Sequence, residues 1–144
     1  MNGQTSLIHA LHDRYEAAWA AYNTLDRARI ALNEKNEAER ILDFRYEDAM
    51  KASHREIEAL RLAIFYQVPT TWQEALILQF HIQSVFDPSQ LSSEDEQEAL
   101  SVAVETLFDF MCDEIEHEDV EGQFQYCEHL VSERRHRRTG KLQA

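Results

Sequence analysis

Glycine and proline are so scarce in this chain that few folds other than helical ones are open to it. Together they account for 5 of 144 residues, whereas about 12% is usual in soluble domains. Neither occurs between Thr5 and Val68. The chain therefore lacks the turn residues of β-sandwiches and barrels and the spaced glycines of phosphate-binding loops. With a mass of 16.9 kDa, it is long enough for one domain with a substantial core.

Two long series of apolar residues predict a pair of helices. Steps of three and four place all members of a series on one helical face. Asn36, followed three residues later by Glu39, is typical of a helix start, and Pro69 ends the second helix. The short polar connection favours an antiparallel hairpin over one continuous rod, which stays open as the alternative. The first series is Ile8, Leu11, Tyr15, Ala18, Tyr22 and Leu25, and the second is Tyr46, Met50, Ser53, Ile57, Leu60 and Ile64.

Capping signals predict further helices after this pair. Thr71 and Glu74 open a third helix that is apolar on nearly all sides, which indicates a helix buried between others or used as an interface. Ser93 and Glu96 open a fourth. We expect its core face to be Leu100, Val104, Leu107, Met111 and Ile115, widened by Val102, Phe108 and Phe110. A shorter fifth helix would carry Phe124, Cys127 and Val131.

The predicted fold is all-α. It is an antiparallel helical bundle built on a long two-helix hairpin with two or three further helices. Residues 1–133 would form a single helical domain, and residues 134–144 a basic tail without regular structure.

Charge is distributed unevenly along the chain. The formal net charge is −13, yet residues 1–133 hold 27 acidic against nine basic residues, a net charge of −18. Such a body repels nucleic acids and anionic membranes, so we expect no direct nucleic-acid binding by it. The tail could be solvated, contact phosphates, or fold back on an acidic surface of its own or a neighbouring subunit. Its basic residues are Arg134, Arg135, Arg137, Arg138 and Lys141.

The cysteine content and the hydropathy pattern indicate a compartment. Only Cys112 and Cys127 occur, and the sequence has neither a secretory signal pattern nor about 18 consecutive apolar residues. These features predict a reduced, cytoplasmic protein that does not enter membranes.

One acidic segment has the spacing of metal ligands. Asp113, His117 and Glu121 recur at steps of four, and Glu114 lies three residues before His117. Helical steps of three or four allow two side chains to share one metal ion. Acids are so dense here that chance produces such spacings, so a solvated acidic face is favoured. These four residues remain the weak candidates for a metal site, while no cofactor and no catalytic residue are predicted.

Other histidines and cysteines are better explained by packing. The set Cys112, His117, Cys127 and His129 has gaps that match no standard zinc finger. Cys112 is instead expected to be a small buried hydrophobe. His81, inside the apolar third helix, is expected to be a hydrogen-bonded histidine of the core or of an interface rather than a catalytic base.

Part of the sequence resembles a group of short, uncharacterised α-proteobacterial helical proteins. The resemblance covers residues 5–86 and rests on a first helix containing Ala17-Ala18-Trp19 and on the turn Val68-Pro69-Thr70-Thr71. It implies a helical fold and no particular activity or site. The acidic fourth helix and the basic tail are not part of the shared pattern.

These observations favour a non-catalytic helical interaction or regulatory protein that associates with itself. Its candidate contact residues are Trp72, Leu76, Phe80 and Phe86 of the third helix and Arg134, Arg135, Arg137 and Arg138 of the tail. Two alternatives stay open: an acidic inhibitor that mimics nucleic acid toward a nucleic-acid-binding protein, and a metal-binding helical bundle.

Overall fold

The computed structural model describes residues 6–32, 36–85, 93–118 and 123–143. In these segments the chain forms helices and no strand. The helices are α1 (Leu7–Ile30), α2 (Glu37–Phe65), α3 (Trp72–Ser84), α4 (Glu94–Glu118) and α5 (Gln123–Gln143). The predicted all-α bundle is confirmed.

The first two helices lie antiparallel and pack closely along their length. Arg29 near the end of α1 binds Asp43 near the start of α2 with an Nε–Oδ1 distance of 2.8 Å. Toward the other end, Arg14 lies 3.8 Å from Glu56. Pairing early residues of one helix with late residues of the other requires a hairpin, so the continuous-rod alternative is wrong.

The predicted apolar stripes form the seam of this hairpin. Tyr15 and Ala18 of α1 pack with Ile57 and Leu60 of α2 in one buried cluster. Next to it, Ile8 and Ile64 join a larger cluster to which α3 and α4 contribute. The stripes of α1 and α2 therefore face inward, as their spacing predicts.

The helices begin where the capping signals predict. The Asn36 side chain accepts a hydrogen bond from the backbone of Glu39 at 2.8 Å, and Ser93 accepts one from Glu96 at 3.2 Å. Thr71 and Glu74 form a complete capping box. Side-chain acceptors at these positions satisfy amides that have no partner inside the helix.

The core face of α4 differs from the predicted one. Val104 and Met111 are exposed, whereas Ala99 and Ala103 are fully buried. Leu107 and Phe110 are buried beside them. Large apolar residues give the stronger signal in the sequence, but small alanines allow α4 to approach α3 and the hairpin closely. With the alanines facing the core, Val104 and Met111 of α4 face solvent.

The chain beyond residue 133 also differs from the prediction. The structure continues α5 to Gln143, so the predicted tail without regular structure is wrong over residues 134–143. Arg134 is buried, with 7% of its surface exposed. Its guanidinium donates a hydrogen bond to a backbone carbonyl oxygen of α4. This contact attaches α5 to α4, and the sequence pattern of α5 does not reveal it.

Glu74 fastens the start of α3 through a buried carboxylate. Its Oε2 accepts from the Thr70 amide at 3.0 Å, the Thr70 hydroxyl at 2.7 Å and the Thr71 amide at 3.1 Å. Burial alone would raise the pKa of Glu74, but the hydrogen bonds from Thr70 and Thr71 outweigh it and lower the pKa. The carboxylate therefore stays charged at neutral pH.

Replacing Glu74 by alanine should lower the free energy of unfolding by about 2–3 kcal/mol, since it removes the charged acceptor of several hydrogen bonds from Thr70 and Thr71. Urea denaturation followed by circular dichroism measures this. Glu96→Ala is the matched control because Glu96 holds the same position in the first turn of α4 and is half-exposed. It should lower the free energy by less than about 1 kcal/mol. Equal losses for both variants would contradict the assignment.

Candidate interaction surface

The outer sides of α3 and α4 form an exposed apolar surface, which we call the α3/α4 face. It consists of Trp72, Leu76, Val104 and Met111, and Leu76 is 71% exposed. The face encloses a groove of about 380 Å³. The groove is lined by Trp72, Ala75, Leu76, Gln79, Leu107 and Met111.

The arrangement of α3 explains why large apolar residues stay outside. Ala75, Leu78 and His81 point into the core. Trp72, Leu76 and Phe80, at steps of four, lie on other sides of the same helix and are all exposed. This helix of 13 residues is apolar on nearly all sides, and the core covers only one side of it. Large apolar side chains on the other sides therefore stay exposed.

Charged groups are missing from the outward side of α3. Glu74 and His81 are its only ionisable residues, and both are buried. The outward residues are apolar or uncharged polar, although charged residues make up 28% of the whole chain. Charge depletion combined with exposed aromatic and aliphatic side chains is typical of the centre of a protein–protein interface.

The neighbouring strip of α4 is uncharged as well. Gln97, Ser101, Val104, Phe108 and Met111 follow one another at steps of four and three, and all are exposed or half-buried. Such spacing places them along one side of the helix. Met111 lines the groove, so this strip continues the uncharged surface of α3.

Three of the four contact residues predicted on the third helix are described, and they do not form one compact group. Trp72 packs edge-on against Phe110 at a ring distance of 5.1 Å. Phe80 contacts the His12 ring at 5.7 Å, on the side of α3 that faces α1. Phe86 lies outside the described residues. Val104 and Met111 were not predicted to lie on the surface, because their spacing in the sequence places both on the expected core face of α4.

Two histidines meet where the inner side of α3 packs against α1. His12 Nδ1 of α1 and His81 Nε2 of α3 are 3.0 Å apart, and His81 is completely buried. Tyr15 stacks edge-on against His81 at a ring distance of 4.5 Å. The predicted hydrogen-bonded core histidine is what the structure shows at this position.

The surroundings of the pair determine where its protons lie. Among the described residues, His81 Nδ1 has no hydrogen-bond partner. A buried N–H without an acceptor is more costly than a bare lone pair, so the proton belongs on His81 Nε2, which donates to His12 Nδ1. His12 then carries its proton on Nε2, which lies 3.4 Å from Glu16.

Burial keeps His81 neutral. Burial, His12 and Arg61 together lower the pKa of His81 from its ordinary 6.5 to about 4. Between these values the unfolded chain binds a proton that the folded chain does not. The free energy of unfolding therefore falls as the pH drops through this window.

Between pH 7 and pH 4, His81 should lower the free energy of unfolding by about 3 kcal/mol. His81→Phe keeps an aromatic ring against Tyr15 and should remove this part of the pH dependence. Urea denaturation across the pH range measures both proteins. His54→Phe on the exposed side of α2 is the matched control and should keep the wild-type slope. An unchanged slope in His81→Phe would refute the assignment.

Arg134 fastens α5 to α4. It donates to the Asp109 carbonyl oxygen and to Asp113 Oδ1, both at 2.8 Å. Burial would lower the pKa of Arg134, but the hydrogen bond and charge of Asp113 raise it. Arg135 binds Glu116 in the same interface. These contacts place two predicted tail residues on an acidic side of the same chain.

The remaining tail residues differ in their positions. Arg137 is exposed and lies 3.5 Å from Glu133 on its own helix. The side chain of Arg138 lies outside the described part of the chain. The structure therefore separates the buried Arg134 from Arg135 and Arg137, whose side chains are both exposed.

Replacing Arg134 by methionine should release α5, because it leaves the apolar stem but removes the guanidinium. We expect the α5 amides to exchange hydrogen at least about tenfold faster, equivalent to about 1.4 kcal/mol or more. Hydrogen exchange with mass spectrometry measures this. Arg137→Met serves as the control and should leave exchange in α5 within about twofold of wild type. Similar exchange in the two variants would disprove the docking role.

The described metal-ligand candidates are not brought together into a group of three. Asp113 is bound by Arg134, and His117 is exposed. Glu114 is half-buried, and Glu121 lies outside the described residues. Where side chains are described, no group of three histidine, cysteine or acidic residues is placed to hold a metal ion. Of the zinc set, Cys112 is buried, as its packing interpretation predicts, and the Cys127 side chain lies outside the described part.

Comparisons with protein-family models, curated proteins and solved structures gave no match to this chain. The resemblance to the α-proteobacterial group therefore stays a prediction. In the described segments, no helix has both the length and the hydropathy needed to span a bilayer.

Proposed function

We propose that this protein is a non-catalytic helical interaction protein that binds a partner through the α3/α4 face. The observation that carries the proposal is an exposed apolar groove on a side of α3 without charged groups. Its lining residues Trp72, Ala75, Leu76 and Gln79 follow the pattern by which a helix presents one face. Grooves of this kind receive an apolar helix face of a partner.

The energetics support binding rather than solvation of this face. Leu76 and Trp72 expose apolar surface that contributes about 25 cal/mol per Å² when it is covered. Apolar patches of this kind on a folded protein are characteristic of interaction sites. Covering the groove would also bring Leu107 and Met111 into the interface without burying a charge.

The acidic surface has a separate role in this proposal. Described acids on α2 and α4 are paired with arginines and lysine at several positions, as in Arg29 with Asp43 and Arg134 with Asp113. The surface thus keeps the protein hydrated away from the α3/α4 face. A reducing, cytoplasmic location belongs to the same proposal, in line with the free, buried thiol of Cys112.

Photo-crosslinking tests the proposal directly. A photoreactive amino acid replaces Leu76 on the face, and in a control protein it replaces Phe44, which is 64% exposed on α2. In cells that produce the protein natively, we expect discrete crosslinked products from position 76 and none from position 44. No product from position 76, or the same products from both positions, would overturn the proposal.

A further inference from the structure

From the chemistry and shape of the α3/α4 face, we propose that its partner is a second copy of this chain. The inference rests on the proposed function and names the occupant of that site. Two copies would pack α3 against α3 about a two-fold axis, which would place Leu76 of each copy beside the groove of the other.

The charge pattern favours a second copy over a basic partner. The groove and the strip of α4 beside it offer no carboxylate to pair with an incoming lysine or arginine. Burying an unpaired charge against such a surface costs several kcal/mol. The same face of another copy brings no charge into the contact, so two identical faces match chemically.

The face also brings exposed and buried apolar residues together around the groove. Leu76 and Trp72, which are 71% and 52% exposed, line it together with the buried Ala75 and Leu107. A two-fold interface joins the same patch on both subunits, so an exposed side chain of one copy can enter the groove of the other only if both features belong to that patch. The α3/α4 face meets this requirement with a 71% exposed leucine adjoining an open apolar groove.

The charge on the rest of the surface explains why two copies would meet through the α3/α4 face. Each copy has a formal net charge of −13, so two copies repel at long range. Repulsion is smallest where the faces that approach closely hold no charged groups of their own. Salt should screen the remaining repulsion, because the screening length falls from about 10 Å at 0.1 M to about 3 Å at 1 M.

Sedimentation equilibrium of the purified full chain tests this inference. We expect wild type to sediment as a dimer of 16.9 kDa chains, with a dissociation constant below about 100 µM. Raising the salt concentration from about 0.1 M to about 1 M should tighten the dimer. Leu76→Glu should weaken it at least tenfold, because each interface would bury two carboxylates without partners.

Phe44→Glu is the matched control, since it adds the same charge at an exposed apolar position among the charged residues of α2. It should leave dissociation within about threefold of wild type. Leu76→Gln, which adds no charge, should weaken the dimer by less than Leu76→Glu. Circular dichroism verifies that the variants stay helical.

A wild-type monomer at about 100 µM would overturn the second-copy inference. So would a dimer that survives Leu76→Glu, or one that Phe44→Glu dissociates. The crosslinking experiment separates this failure from failure of the proposed function. Products from position 76 at the mass of two chains support both the interaction function and the second copy as partner. Products at another mass support the interaction function alone and refute the second copy. The absence of any product refutes both proposals.

Discussion

The antiparallel seam between α1 and α2 is the interaction on which the rest of the structure depends. Ile57 and Leu60 of α2 pack against Tyr15 and Ala18 of α1 in one buried cluster. Isolated helices gain little stability from propensity alone, so burial of these stripes holds the pair together. The pair then provides the platform on which α3 and α4 pack through Ile64 and Phe65.

The position of α3 on this platform creates both unusual features of the molecule. Its inner side brings His81 against His12, where burial holds the imidazole neutral. Its outer side presents Trp72 and Leu76 to solvent. Because α3 is apolar on nearly all sides while the core reaches only one side of it, the proposed binding face is a direct consequence of the packing.

Charged contacts take part in the attachment of α5. Among its described side chains, Val131 is buried, and Arg134 and Arg135 bind acidic groups of α4. Charge-assisted hydrogen bonds add geometric specificity to such a contact. The described part of α5 is thus attached through one buried aliphatic residue and through arginines on acidic groups of α4.

The first four helices, the starting residues of α2, α3 and α4, and the hairpin were predictable from the sequence alone, because capping residues and steps of three and four are local signals. Asn36, Thr71 and Ser93 act as the predicted caps, and Ile57 and Leu60 are buried as predicted. The rotation of α4 was not predictable, since alanines at positions 99 and 103 give a weak apolar signal yet permit the closest packing.

Tertiary structure alone determined that Val104 and Met111 face outward, that Arg134 is buried, and that His12 meets His81 from 69 residues away. Each of these depends on which side of a helix its neighbours cover, and one helix's periodicity contains no such information.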